Sequence, residues 1–305
     1  MDQLMRQDAA AELAIQTVLD SLDSLHSRRA YERHLREFIA WHRASEHGGI
    51  NKAIVQRYAA HMREAGRSPA TINQKLSAIR KLATEAADNG ALNGQIANGI
   101  KAVKGVRREG TRTGNWLTKQ QAQKLLNAPD TDTLKGLRDR AIFAVLIGCG
   151  LRRAEAVNLN FSHIQQRDGR WVLIDLIGKR NKVRSVPMPA WTKKAIEEYA
   201  TAVDVTEGIV FRPINRGGRM TSERLSEQAI YNIVVEYAEA LGFGKLAPHD
   251  LRRTFAKLAS QGGSTLDQIQ LSLGHSSIQT TERYLGVEQD LTDAPCDHLG
   301  LRLNG

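Results

Sequence analysis

The sequence predicts a mostly helical protein of two domains, with one small antiparallel β-sheet in the second domain. Three observations predict this fold class. Apolar side chains recur at helical spacing through the first hundred residues. Between residues 105 and 116 this periodicity is lost, and glycine and basic residues dominate. Two short strand-like segments, 171–177 and 183–188, then flank a polar turn.

The first domain, residues 1–104, is expected to be a bundle of helices. Residues 27–41 carry their apolar side chains on one stripe, which is typical of a helix packed on a core. Asn51 is the expected N-cap of the next helix. Ser68 is the expected N-cap of a third helix, because Pro69 behind it suits the first helical position.

The linker is expected at residues 105–116 and the second domain at residues 117–305. Thr118 is the expected N-cap, and Gln121 three residues later completes a capping box. The apolar segment 137–150 predicts a buried helix that contains Cys149. Between the two strands, residues 178–182 are the expected turn. Further helices are predicted at 152–159, 192–201, 222–241, 248–261, 264–273 and 280–286.

Composition favours a polyanionic partner. The 305 residues include 43 Lys plus Arg against 33 Asp plus Glu, a formal net charge of +10. The two cysteines, Cys149 and Cys296, match no metal-ligand spacing, and no cluster of acidic residues suggests a metal site. The polar N-terminus lacks a signal-peptide pattern, and the longest apolar run, 141–147, is too short to cross a membrane. We therefore expect a cytoplasmic protein with no membrane partner.

Three short motifs carry the chemistry. They are Gly-Leu-Arg-Arg-Ala-Glu at 150–155, Pro-His-Asp-Leu-Arg-Arg at 248–253, and Leu-Gly-His at 273–275 with Tyr284 nine residues after the histidine. Arginine binds phosphate oxygens through a planar set of donors, and histidine transfers protons near neutral pH. Tyrosine can be a covalent nucleophile. Together these groups are suited to attack on a phosphodiester.

In their order and context the three motifs resemble those of the tyrosine site-specific recombinases, the family of phage integrases, Xer proteins and Cre. The resemblance covers nearly the whole chain. It implies an N-terminal helical core-binding (SAM-like) domain and a C-terminal α+β catalytic domain. It also implies DNA strand exchange in pairs through a 3′-phosphotyrosyl intermediate and a Holliday junction.

The resemblance assigns a role to each matching residue. Arg152 and Arg252 would hold the scissile phosphate, and Tyr284 would be the nucleophile. His249 would do acid/base work on the tyrosine, and His275 would hydrogen-bond the phosphate. Lys179, in the turn after Gly178, would protonate the leaving oxygen, with Lys182 as its rival, and Glu155 would support the site from behind. Arg153 would either add a phosphate contact or face solvent, and the second is expected.

The implied partner is double-stranded DNA with inverted-repeat sites, bound by a homotetramer or by a heterotetramer with a related recombinase. No cofactor is expected, because a phosphotyrosyl bond conserves the energy of the broken bond. Basic residues of the first domain and linker would contact the DNA, namely Arg28, Arg29, Lys75, Arg80, Lys81, Lys104, Arg107 and Arg108.

Two other classes of function remain open from the sequence alone. A DNA-binding regulator descended from such an enzyme would have lost catalytic residues, whereas all six are present here. A type IB topoisomerase shares the chemistry but lacks site selection, and the recombinase-like helical first domain disfavours it. The sequence names neither the target site nor the biological role.

Overall fold

The computed structural model describes residues 2–44, 48–107, 115–178, 182–215, 217–221 and 224–285, without the side chains of residues 2–10, 283 and 284. The chain divides into two compact units, residues 1–111 and 112–305, and each has its own hydrophobic core. This division falls within the predicted linker, and the exact domain bounds stay a prediction.

The described part of the first unit contains helices only, as predicted. They are α1 (Asp2–Asp20), α2 (Leu25–Ala44), α3 (Lys52–Glu64), α4 (Pro69–Asp88) and α5 (Gly94–Lys101). Helix α4 packs against the other four. Its buried Leu76 and Ile79 share a core with Phe38 of α2 and Tyr58 of α3. Helices α1 and α5 were not predicted.

Both predicted N-caps of the first unit are confirmed. The Asn51 side chain accepts a hydrogen bond from the Ile54 amide at 3.2 Å. Ser68 accepts one from the Thr71 amide at 3.2 Å, and Pro69 occupies the first helical position. Each cap satisfies a backbone donor that lacks a partner inside the helix, a contribution of about 1 kcal/mol.

The second unit is built around α7 (Leu134–Gly148), which packs against α6, α9, α10 and α11. Its residues 141–147 are all buried, and Cys149 behind them is buried as predicted. The capping box of Thr118 and Gln121 is confirmed at the start of α6. The other helices are α6 (Lys119–Asn127), α8 (Arg153–Val157), α9 (Ala190–Ala202), α10 (Glu227–Ala240), α11 (Pro248–Gln261), α12 (Leu266–Leu273) and α13 (Ile278–Leu285).

Three strands form one antiparallel sheet in the order β1-β2-β3, where β1 is Ile164–Arg167, β2 is Arg170–Ile177 and β3 is Val183–Pro187. The pairing of β2 with β3 confirms the predicted hairpin, and Leu173 lies opposite Val186. Strand β1 was not predicted, because three of its four residues are polar and it shows little alternation.

Helix starts were the least accurate part of the prediction. The helix predicted at 222–241 begins at Glu227, because Ser226 caps it by accepting from the Ala229 amide at 3.0 Å. The helix predicted from residue 264 begins at Leu266. Helix α11 has the predicted bounds. In the residues with a described structure, no helix combines the length and apolar character needed to cross a membrane.

Candidate active site

Arg152 lies at the end of the loop between α7 and α8, directly after Gly150 and Leu151. Gly150 has φ +60°, and a Cβ there would lie 2.7 Å from the ring of Phe255. Both facts require glycine at this position. Leu151 is fully buried, so the loop is anchored on the core and Arg152 leaves it at a defined point.

Glu155 fixes the orientation of Arg152. Its carboxylate accepts from the Arg152 backbone amide at 2.8 Å and from Arg152 Nη1 at 2.7 Å. Arg184 Nη1 and Nη2 donate to the two carboxylate oxygens at 2.7 and 2.9 Å. Burial favours the neutral acid, but the bonds and charges of Arg184 and Arg152 outweigh it and lower the pKa of Glu155 to about 2. Glu155 is therefore an ionised, buried support.

Arg252 is brought to the same place from α11. It is 1% exposed, and its guanidinium donates to the backbone carbonyls of Gly150 and Leu273. Arg152 Nη2 donates to the same Leu273 carbonyl at 3.2 Å. The two predicted phosphate-binding arginines thus converge at the C-terminal end of α12.

His275 follows immediately after that point. Gly274 ends α12 in the left-handed conformation, with φ +61°, and thereby turns the chain toward His275. His275 Nδ1 lies 3.0 Å from Thr281 Oγ1 on α13. Partial burial and the charges of Arg252 and Arg152 lower the pKa of His275 to about 4, so its imidazole is neutral at pH 7.

His249 occupies the first turn of α11 and is exposed. It lines a cleft of about 420 Å³ together with Arg152, Arg252 and Tyr231. Although the residue as a whole is exposed, partial desolvation of its ring and the charges of Arg253 and Arg252 lower the pKa of His249 below its ordinary value. At neutral pH the imidazole is therefore largely unprotonated and able to accept a proton.

Arg153 lies on the rim of this cleft. Its side chain is 40% exposed, and Nη2 is 3.8 Å from Glu227. The structure thus places Arg153 partly in solvent, beside an acidic residue of α10.

The predicted catalytic lysine and the predicted nucleophile lie only partly within the described residues. Lys179 lies outside the described residues, whereas the exposed Lys182 is within them. Gly178 donates its amide to the Lys182 carbonyl at 2.8 Å, and a Cβ on Gly178 would be 3.3 Å from Arg152 Nη1. The start of the turn therefore lies beside Arg152. Tyr284 belongs to helix α13, three residues after Thr281, and its side chain is not described.

The predicted DNA-contact residues divide into exposed cations and structural ones. Arg29, Lys104 and Arg107 are exposed. The partly buried Arg28 donates to the Leu22 carbonyl at 2.6 Å, and Lys81 pairs with Glu85 at 2.6 Å. Arg108 lies outside the described residues.

Lys75 and Arg80 both make contacts within the first unit. Lys75 is buried and pairs with Glu37, which ties α4 to α2. This position contradicts the prediction that Lys75 contacts DNA, because a buried, paired ammonium cannot reach a phosphate without losing Glu37. The partly buried Arg80 donates to the Val103 carbonyl and holds the segment that follows α5.

Arg184 is the site residue that sequence reasoning missed. Arg184 and Val186 are two residues apart on β3, so their side chains lie on the same face of the sheet. Val186 is 1% exposed, so this face is the inner one. The available signal was an arginine at an inward strand position, where an apolar residue is expected.

Comparison with known proteins identifies the class. Residues 115–290 match the phage integrase family, and residues 19–90 match the phage integrase N-terminal SAM-like domain. The chain therefore belongs to the phage integrase family of tyrosine recombinases, enzymes of site-specific DNA recombination.

Two similar proteins span almost the whole chain. A tyrosine recombinase of Synechococcus elongatus is 31% identical over 303 residues, covering 93% of this chain and 92% of its own. A XerC tyrosine recombinase of Pelobacter propionicus is 32% identical over 297 residues, covering 95% and 93%.

Solved structures show the same fold. The XerH recombinase bound to a palindromic difH substrate matches with TM-score 0.68 at 19% identity, over 88% of this chain and 78% of its own. A lambda integrase dimer bound to a core site matches with TM-score 0.69 at 16% identity, over 93% and 79%.

Proposed function

We propose that this recombinase cuts and rejoins DNA through a covalent bond between Tyr284 and a 3′ phosphate. The observation that carries the proposal is the meeting of Arg152 and Arg252 at the Leu273 carbonyl, two residues before His275. Three segments far apart in sequence thereby present two guanidinium groups and an imidazole to one place. Such a cluster is complementary to a phosphate that gains negative charge in the transition state.

In the cleavage step the Tyr284 oxygen attacks the scissile phosphorus, a P–O bond to tyrosine forms, and the bond to the 5′ oxygen breaks. Arg152, Arg252 and the Nε2 group of His275 donate to the non-bridging oxygens. Resealing is the reverse attack by a 5′ hydroxyl. The number of phosphoester bonds is unchanged, so the reaction needs no nucleotide cofactor.

Two proton transfers accompany the exchange. Free tyrosine has a pKa of about 10, so attack near neutral pH requires removal of its proton. His249 is the proposed acceptor, because its lowered pKa keeps the imidazole neutral at pH 7. Lys179 is the proposed donor to the departing 5′ oxygen, and the position of Gly178 beside Arg152 supports a lysine donor in this turn.

The assembly is also a proposal. The recombinase would bind inverted repeats and form a homotetramer, or a heterotetramer with a related recombinase, in the cytoplasm. Strands would be exchanged in pairs through a Holliday junction. The proposed DNA contacts are Arg28, Arg29, Arg80, Lys81, Lys104, Arg107 and Arg108, without the buried Lys75. The XerH and lambda integrase neighbours bound to their DNA sites support a DNA partner.

Tyr284→Phe tests the nucleophile. The variant lacks only the attacking oxygen, so it should bind its DNA site within a few-fold of the wild type and form no covalent adduct. The measurement is adduct formation on a nicked suicide duplex. An adduct that persists in Tyr284→Phe would overturn the assignment. Relaxation of supercoiled DNA without site preference would instead favour a topoisomerase.

A further inference from the structure

Arg184 connects three parts of the site, although it has no place in the mechanism above. It extends from β3, and its side chain is 9% exposed. Two of its nitrogens bind the Glu155 carboxylate, and Nε donates to the Ser272 carbonyl at 2.9 Å. One side chain thereby joins the sheet, the first turn of α8 and the last turn of α12.

The end of α12 needs such donors. The last carbonyls of a helix lack partners within it and lie at the negative end of the helix dipole. Here Arg184 binds the carbonyl of Ser272, and Arg152 and Arg252 bind that of Leu273. Gly274 permits this approach, since a Cβ at that position would lie 2.8 Å from Arg184 Cδ.

We propose that Arg184 is a positioning residue for strand cleavage, which holds Glu155 and the end of α12 in register so that Arg152 and His275 meet the same phosphate. The proposal rests on the proposed function of this site. Arg184 contacts carboxylate and backbone rather than the reacting atoms, so its effect on cleavage passes through Arg152 and His275.

Charge gives Arg184 a second part in the arrangement. Glu155 is buried, and the charged groups that face it in the described part of the chain are Arg184 from β3 and Arg152 from the turn before α8. One carboxylate shared by two guanidinium groups leaves a net positive charge for the phosphate. Without Arg184, Glu155 would neutralise Arg152, and its own carboxyl would protonate at higher pH.

The test compares single-turnover cleavage by the full chain with that of Arg184→Met and Arg184→Lys, from about pH 4 to about pH 9. We expect Arg184→Met to cleave about 10- to 100-fold more slowly, since a small misplacement of a catalytic group has effects of this order. DNA affinity should stay within a few-fold. As the pH is lowered, the cleavage rate of Arg184→Met should begin to fall at a higher pH than the rate of the wild type. Arg184→Lys keeps the charge but not the paired donors, so it should be intermediate.

Arg170→Met is the matched control, because Arg170 is exposed at the start of β2 in the same sheet. It should change neither the rate nor the pH profile. Glu155→Gln removes the titrating group, so adding Arg184→Met to it should produce no further shift of the acid limb. The proposal is wrong if the pH profile of Arg184→Met superimposes on that of the wild type. It is also wrong if the rate loss of the double variant equals the product of the losses caused by Glu155→Gln and by Arg184→Met alone.

A readout without DNA separates this inference from the proposed function. The folded pKa of Glu155 is depressed, so its stabilising effect is present above its unfolded pKa, about 4.3, and is lost as pH falls toward about 2. The difference in Tm between the wild type and Arg184→Met should therefore become smaller as the pH is lowered from about 4.3 toward about 2. A constant difference would contradict the role of Arg184, whereas a wild type that forms no adduct would contradict only the proposed function.

Discussion

Two lysines of the β2–β3 turn, Lys179 and Lys182, are chemically able to protonate the departing 5′ oxygen. Lys179 directly follows Gly178, which lies beside Arg152. Lys182 is exposed, and its carbonyl closes the turn by accepting from the Gly178 amide. Lys179 is the proposed acid because it directly follows Gly178, and Lys182 remains its rival because its carbonyl lies beside the same glycine.

Substitution of sulfur for the scissile 5′ oxygen distinguishes the two lysines. A thiolate leaves without protonation, so the sulfur substrate should restore cleavage by Lys179→Ala. It should not restore cleavage by Arg152→Ala, whose proposed partners are the non-bridging oxygens. Lys182→Ala is the control and should show little defect on either substrate. If the sulfur substrate rescues only Lys182→Ala, the proton donor is Lys182. If it rescues neither variant, the proton donor does not lie in this turn.

Thr281 contacts the ring of His275 and thereby contributes to its orientation. A neutral imidazole has one donor and one acceptor nitrogen. We expect the Thr281 hydroxyl to donate to Nδ1 at 3.0 Å, which leaves the Nε2 proton for the phosphate. Thr281 is fully buried and lies on α13 with Tyr284, so this bond also ties the helix of the proposed nucleophile to the proposed phosphate site.

Thr281→Val keeps the side-chain shape but loses the hydroxyl. We expect about a tenfold slower single-turnover cleavage, a loss of about 1.4 kcal/mol, with DNA binding unchanged. Thr281→Ser retains the donor and should stay near the wild-type rate. Thr280→Val, one residue away, controls for a general effect on the helix. Equal rates for Thr281→Val and the wild type would remove Thr281 from the mechanism.

At the scale of elements, the turn between α12 and α13 determines the geometry of the site. Gly274 ends α12 with φ +61° and lies against Arg184. Gly242 follows α10 with φ +70°, and nothing lies within 4 Å of its Cβ position. The two glycines share a backbone conformation but differ in their surroundings.

Gly274→Ala and Gly242→Ala therefore form a matched pair. Both should lose about 1–2 kcal/mol of unfolding free energy, because a left-handed conformation is unfavourable for alanine. Only Gly274→Ala should also slow cleavage, since its Cβ displaces Arg184. Thermal unfolding and single-turnover cleavage measure the two effects. Equal cleavage by the two variants would show that the close approach to Arg184 is unimportant.

At the scale of the whole molecule, the chain has a large positive net charge. The excess of 10 basic over acidic residues suits a partner with a phosphate backbone. In the proposed mechanism Arg152, Arg252 and the lysine of the β2–β3 turn would supply the electrostatic stabilisation at the scissile phosphate. We therefore expect that cleavage does not require a divalent cation.

Cleavage in EDTA tests that expectation. The single-turnover rate on a suicide duplex should be unchanged when EDTA replaces Mg²⁺ at constant ionic strength. Pairing of two DNA sites can respond to Mg²⁺ through the DNA itself, so the assay uses single sites. Strict dependence of the cleavage step on a divalent ion would overturn the proposed mechanism.

Local sequence determined most of the secondary structure and the outline of the site. The caps at Asn51, Ser68 and Thr118 act within three residues of the chain, so their side chains were sufficient to predict three helix starts. Strand β1 and the start of α10 were not predicted correctly. Short polar strands depend on their pairing partner, and a cap such as Ser226 resembles any loop serine. The motifs that contain Arg152, His249, Arg252 and Tyr284 indicated the chemistry, because the types of these residues and their order in the chain were enough to suggest attack on a phosphodiester.

Only the tertiary structure decided which of these side chains meet and which serve the fold. Arg152 reaches the Leu273 carbonyl 121 positions away, and Arg184 reaches Glu155 29 positions away. Lys75 is of a residue type that usually lies on the surface, but here it is buried and paired with Glu37. Residue type sets what a group can bind, whereas burial and long-range packing set which partner it has and hence its charge and orientation. For that reason the sequence alone predicted Arg152 but could not identify Arg184 as the residue that supports it.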